Sequence, residues 1–139
     1  MSGCRRFSDA CRGDAPAFAA HAAFYPVCWA YGAVPALSLT DRTGAPILIQ
    51  TGEADTYDTP GAGERLAGRL RADGGAGEIR HIAYARAGHG FDRDRSTQVI
   101  TDPFSHDGQG GQVEMAFHLR AAAAARAAMV AFFSETFVR

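Results

Sequence analysis

Gly44-Ala45-Pro46-Ile47-Leu48-Ile49-Gln50-Thr51-Gly52-Glu53-Ala54-Asp55 is the stretch whose reading decides the fold. Its apolar run, Ile47 to Thr51, is short and β-branched, which suits a strand covered on both faces in a parallel sheet. Asp55 follows at the C-terminal end, where the loops of an open parallel sheet converge on a crevice. From about Gly63 to Ala72 the pattern turns helical. Leu66, Ala67 and Leu70 share one face, Glu64, Arg65, Arg69 and Arg71 take the others, and Asp73-Gly74-Gly75 supplies the stop. A second strand is expected from Glu78 to Tyr84. It leads into Ala85-Arg86-Ala87-Gly88-His89-Gly90-Phe91, which puts a histidine between two glycines at the sheet edge where Asp55 lies. Two parallel strand ends can therefore bring Asp55 and His89 together.

Composition narrows the rest. A chain of 139 residues, 47% of them apolar, is enough for one domain with its own core. The formal net charge of -1 and the scattered arginines leave no basic stripe, so neither nucleic acid nor an anionic membrane is an expected partner. All 14 cationic residues are arginine, which excludes a Schiff-base lysine and a P-loop lysine. Cys4, Cys11 and Cys28 are odd in number and lack C-x-x-C spacing, so they indicate neither a disulfide framework nor a zinc site and fit a reducing cytoplasm. Arg5-Arg6 is followed by Ser8, Asp9, Arg12 and Asp14 instead of an apolar core, unlike a signal peptide, and no run approaches membrane-spanning length.

Outside the central unit, Met1 to Ala15 is polar, with a loop signal at Arg12-Gly13-Asp14-Ala15-Pro16. Phe18 to Tyr25 is apolar but for His21, a structural residue in this reading, and Pro26 stops it, so a buried strand is expected there. Val27 to Thr43 reads as irregular. Asp92 to Gln112 is charged and glycine-rich and reads as a long surface loop. Val113 to Val138 carries Met115, Leu119, Ala122, Met129, Phe133 and Phe137 at helical steps, and its phenylalanines Phe132, Phe133 and Phe137 are expected to pack on the sheet. The whole predicts an α/β domain with a parallel sheet of about three strands flanked by helices.

An acid after one strand and a histidine after the next is the order of the last two members of a nucleophile–acid–histidine triad. Here the chain resembles the dienelactone hydrolase family of α/β-hydrolases. The resemblance is carried by Ala22-Ala23-Phe24-Tyr25-Pro26, by Gly44-Ala45-Pro46-Ile47-Leu48-Ile49 leading to Gly52-Glu53-Ala54-Asp55, and by Tyr84-Ala85-Arg86-Ala87-Gly88-His89-Gly90-Phe91-Asp92. It runs from about Phe18 onward and includes the alanine-rich closing helix. It implies Asp55 as the triad acid, His89 as the general base, and an ester or lactone as the small-molecule substrate. The family's nucleophile, a Ser or Cys on a G-x-S-x-G turn, has no counterpart here. The match is thus to the C-terminal half of the fold, residues 1–139 reading as one partial domain whose nucleophile comes from an upstream segment. By the family topology the Phe18 to Tyr25 strand is left with an open apolar edge, which invites self-association.

Rival readings are a non-catalytic fragment or binding module that keeps half of the fold, and a self-sufficient enzyme using Cys4, which has no strand before it to aim its thiol. A G-x-S-x-G or G-x-C-x-G turn encoded just upstream of Met1 would favour the hydrolase. Asp102, Asp107, His106 and His118 fit no metal-ligand spacing, so no metal is expected. Gly61-Ala62-Gly63 lacks the third glycine of a dinucleotide loop, and no cofactor is expected. Trp29, Tyr57 and Asp58 read equally as the lining of a substrate cleft and as packing residues.

Overall fold

The structure, a computed structural model, describes residues 16–39 and 41–138. Its centre is a parallel sheet of three strands: β1 (His21–Phe24), β2 (Ile47–Gly52) and β3 (Ile79–Tyr84), in spatial order β1-β2-β3. His21 pairs with Ile47, and Ile47 with Ile79, so the three strands start level and their C-terminal ends form one edge. The connection from β1 to β2 holds a short helix α1 (Ala30–Ala33) and a 3-10 turn (Pro35–Leu37), local order within the segment expected to be irregular. Between β2 and β3 runs α2 (Ala62–Ala72), within a residue of its expected start, with Gly61 in the left-handed conformation before it.

Alternation along β2 divides the core. Ile47 and Ile49 point to one face, where they join Ile79 of β3, Cys28, and Leu66, Ala67 and Leu70 of α2. Leu48 points to the other and meets Phe132 on the closing helix α4 (Leu119–Phe137). The same helix lays Ala121 and Ala125 against Tyr84, Ala87 and Phe91. Both faces are thus covered, as the continuous apolar run of β2 requires.

Four sequence expectations are corrected. The first strand is His21–Phe24 rather than Phe18 to Tyr25, its residues are half-buried, and Phe18 is 63% exposed. Residues 92–112 are not a simple loop: β4 (Gln98–Asp102) and β5 (Gly111–Met115) form an antiparallel pair closed by the turn α3 (Ser105–Gly108), where His106 and Asp107 take left-handed φ values of 53° and 54°. The last helix begins at Leu119 instead of Val113, because Val113 and Met115 belong to β5 and His118 caps the helix by accepting the Ala121 N–H at 3.2 Å. Its buried stripe is Ala121, Ala122, Ala125 and Phe132; Phe133 is half-buried, and Phe137 is 67% exposed instead of in the core.

The three-stranded sheet with flanking helices matches the α/β expectation. Among the described residues β1 pairs only with β2, and no helix is long and apolar enough to cross a membrane.

Candidate active site

The ends of β2 and β3 are brought together by backbone. The N–H of Glu53 donates to the Tyr84 carbonyl at 3.0 Å, and that of Ala54 to the Ala87 carbonyl at 2.9 Å. Only glycine fits at position 52, where a Cβ would collide with the Ala87 carbonyl. These ties place Asp55 beside His89: Asp55 Oδ2 lies 2.9 Å from His89 Nδ1, with side chains only 6% and 12% exposed. Asp55 Oδ1 accepts the Tyr57 N–H at 2.9 Å, so both carboxylate oxygens are engaged and the group cannot swing away. An ionised carboxylate can only accept, so Nδ1 carries the imidazole proton and the lone pair is left on Nε2, the arrangement of an oriented general base.

The histidine loop is held from below. Gly90 takes φ 73°, a left-handed value that glycine adopts without the steric cost of a Cβ, which answers the need for a glycine after the histidine. Phe91 is fully buried against the rings of Tyr84 at 5.4 Å, Tyr25 at 5.5 Å and Phe24 at 6.3 Å. Beyond it, the Phe91 carbonyl accepts the His118 N–H at 2.9 Å, which ties the loop to the start of α4.

Two tyrosines close on the imidazole. Tyr57 lies at a ring-centroid distance of 4.2 Å and Tyr25 edge-on at 4.6 Å. Each is anchored through its hydroxyl: Tyr57 donates to Asp102 at 2.7 Å, Tyr25 to Asp92 at 2.9 Å. Burial, then the hydrogen bond to Asp92, pushes the Tyr25 phenol up to about 12, and burial with the Asp102 bond pushes Tyr57 up as well, so both stay neutral donors. Tyr25 is held at φ 37°, an uncommon value for a non-glycine residue, directly after β1. The hairpin β4–β5, invisible in the sequence, thus braces the site through Asp102, and β1 does so through Tyr25.

Tyr57, Asp58 and Trp29 divide differently from a common cleft lining. Tyr57 is buried on His89, whereas Asp58 accepts the N–H groups of Cys28 at 2.8 Å and Trp29 at 2.6 Å, starting the turn of α1. Trp29 Nε1 donates to the Phe104 carbonyl at 3.1 Å. Asp102, His106, Asp107 and His118 do not converge; Asp107 accepts the Thr59 N–H at 3.1 Å, and His106 Nδ1 lies 3.0 Å from the Ser105 hydroxyl. Cys28 is buried, with its thiol directed at the Pro26 carbonyl at 3.2 Å, and burial together with the Asp58 charge raises its pKa, which makes it an inert thiol. Cys4 lies outside the described residues.

The sequence reading did not assign Tyr25 a place against the histidine, nor Asp92 and Asp102 as the groups that hold the two rings. Spacing could not reveal them: Asp102 is reached only through a hairpin whose first strand, β4, is largely exposed and carries no clear alternation.

Comparison with known proteins gives one family. The model of the dienelactone hydrolase family matches residues 6–137, nearly the whole chain. No curated protein and no solved structure matches.

Proposed function

The chain belongs to the dienelactone hydrolase family, and from that premise we propose that it supplies the acid and the base of a nucleophile–acid–histidine triad that hydrolyses a carboxylic ester or lactone. The single observation that carries the reading is the 2.9 Å contact between Asp55 Oδ2 and His89 Nδ1, buried and fixed from both sides. In this role His89 Nε2 takes the proton of the attacking nucleophile and returns it to the leaving alkoxide. Asp55 holds the ring and stabilises the imidazolium formed between the two transfers. Tyr25 and Tyr57 limit rotation of the ring and keep water off its faces.

The nucleophile comes from outside the described residues. In the family's chain order it precedes the acid, and of the described serines and cysteines before Asp55, Cys28, between β1 and α1, is sealed in the core with its thiol on the Pro26 carbonyl, and Ser38 follows the 3-10 turn.

The test is kcat/KM for p-nitrophenyl acetate and for a simple aryl lactone with the whole chain, its His89→Ala variant and its Asp55→Asn variant. Losing the base or its orienting acid is expected to cost about 10²–10⁴-fold. Rates unchanged in His89→Ala would overturn the reading.

A further inference from the structure

On the opposite face of the sheet from α4, a second histidine stands in a hydrogen-bonded file. The Thr51 hydroxyl lies 2.8 Å from His81 Nε2, and His81 Nδ1 lies 3.0 Å from Glu64 Oε2. The three side chains come from the end of β2, the middle of β3 and the first turn of α2. Parallel register explains the meeting of the first two: Thr51 pairs with Ala83 and Ile49 with His81, so Thr51 and His81 project from neighbouring strands on one face. Glu64 reaches them because α2 starts close against the sheet. A Cβ on Gly63 would lie 2.5 Å from His81 Nε2 and 3.1 Å from the Thr51 hydroxyl oxygen, so only a glycine leaves this file intact.

The order of the atoms is what a nucleophile needs. An ionised carboxylate only accepts, so Nδ1 of the neutral ring donates to Glu64, and Nε2 is left to accept from the Thr51 hydroxyl. Nucleophile, base and orienting acid in hydrogen-bond reach of one another are recognised by geometry and role rather than by position in the chain. Arg71 Nη1 donates to the other oxygen of Glu64 at 2.9 Å and fixes the carboxylate from the far side.

The file opens on a cavity of about 400 Å³ whose walls include Thr51, Gly61, Gly63, Glu64 and His81. Gly63 and Glu64, in the first turn of α2, have N–H groups with no acceptor among the described residues. The other walls carry Glu53, Asp55 and Asp58 and no arginine. Such a lining repels a carboxylate on the substrate and accepts a neutral acyl group.

We propose that Thr51, His81 and Glu64 form a second acyl-transfer site, with its own nucleophile and base and with Asp55 only bordering its cavity, which takes small neutral esters. Thr51 Oγ1 attacks the ester carbonyl carbon while its proton passes to His81 Nε2. The tetrahedral intermediate then breaks its bond to the leaving oxygen, which takes that proton and departs as the alcohol. A water deprotonated by the same nitrogen attacks the Thr51 ester, and the acid is released with the hydroxyl restored. Thr51 and His81 are the catalytic residues; Glu64 is a positioning residue.

The site does not depend on the reading given to Asp55 and His89, and one experiment separates the two. The whole chain is treated with a fluorophosphonate, which leaves a stable adduct on a nucleophilic hydroxyl, and the modified peptide is mapped by mass spectrometry; p-nitrophenyl acetate hydrolysis is followed in parallel. The adduct is expected on Thr51 in the unaltered chain and in His89→Ala. It should be absent in Thr51→Val, which keeps the shape of the side chain, and at least tenfold slower to form in His81→Ala. Glu64→Gln should lower kcat with KM unchanged, a split that a purely structural role would not produce. Mono-p-nitrophenyl succinate, with a carboxylate on its acyl group, should be a poorer substrate than the acetate. No adduct on Thr51 in the unaltered chain, or an adduct that forms as fast in His81→Ala, would overturn the proposal.

Discussion

Two of the described histidines stand in hydrogen-bonded files that end on a carboxylate, and the two are built from opposite materials. His89 is gripped by a carboxylate that is only 6% exposed and lies between two tyrosine rings, yet no hydroxyl of the described residues reaches it. His81 has a hydroxyl at 2.8 Å, but its carboxylate is 62% exposed and shared with Arg71. Arg71 first and His81 second hold the Glu64 carboxyl below its ordinary range. The contrast separates two requirements of a base. Burial fixes its direction and shields its partner from screening, while an exposed acid orients it only as firmly as water and salt allow.

Replacing each acid should separate the files most strongly. Asp55→Asn is expected to cost about 10²–10⁴-fold in ester hydrolysis assigned to His89, because a buried amide can no longer stabilise the imidazolium. Glu64→Gln should slow adduct formation on Thr51 by less than about tenfold, since water replaces part of an exposed charge. Equal losses in the two variants would erase the distinction.

Packing beneath the two histidines gives the next largest effect. Phe91→Ala empties a fully buried site under the His89 loop and should lower unfolding stability by about 3–5 kcal/mol in a urea titration. Hydrolysis through His89 should fall with it, and labelling of Thr51 should persist under conditions where the variant stays folded. A variant as stable as the parent would mean that Phe91 does not anchor the loop.

Much of the buried file was legible in the sequence, and almost none of the exposed one. Asp55 and His89 were visible because each follows a continuous apolar strand and the histidine has a glycine on each side, signals that survive without tertiary context. Membership of the dienelactone hydrolase family, read from the same motifs, agrees with the match over residues 6–137. Thr51, His81 and Glu64 stood in plain view without a pattern. Within Ile79-Arg80-His81-Ile82 the histidine reads as one more polar position of a strand, and nothing local ties it to a glutamate on the preceding helix. The hairpin β4–β5 was missed for a related reason. Val99 is 60% exposed and the intervening Gly108, Gln109, Gly110 and Gly111 resemble a loop, so the apolar signal is reduced to the fully buried Val113 opposite the half-buried Ile100. Met115 stands four residues before Leu119 and extended the helical pattern across a boundary that His118 sets.

Salt should sharpen the comparison by a smaller amount. At about 1 M ionic strength, where the screening length is about 3 Å, labelling of Thr51 should slow as the contact between His81 and Glu64 weakens, while hydrolysis through His89 stays nearly constant. The reverse order would mean that the buried pair is open to solvent. The smallest effect is expected at Cys28. Its buried thiol, with its pKa raised, should resist iodoacetamide in the native chain at pH 8 and react after denaturation, leaving hydrolysis unchanged. Native alkylation coupled to loss of activity would instead make Cys28 the nucleophile of one of the two files.

Whether Asp55 and His89 work as one unit is tested most directly by the hydrolysis rate of the double variant Asp55→Asn/His89→Ala beside the two single variants, each compared with its parent in a chain that also carries Thr51→Val, so that the second site adds nothing. Groups that act together do not lose their effects independently. The double variant is expected to be no slower than His89→Ala alone. Losses that multiply, or a His89→Ala rate equal to the parent's, would contradict a shared catalytic role.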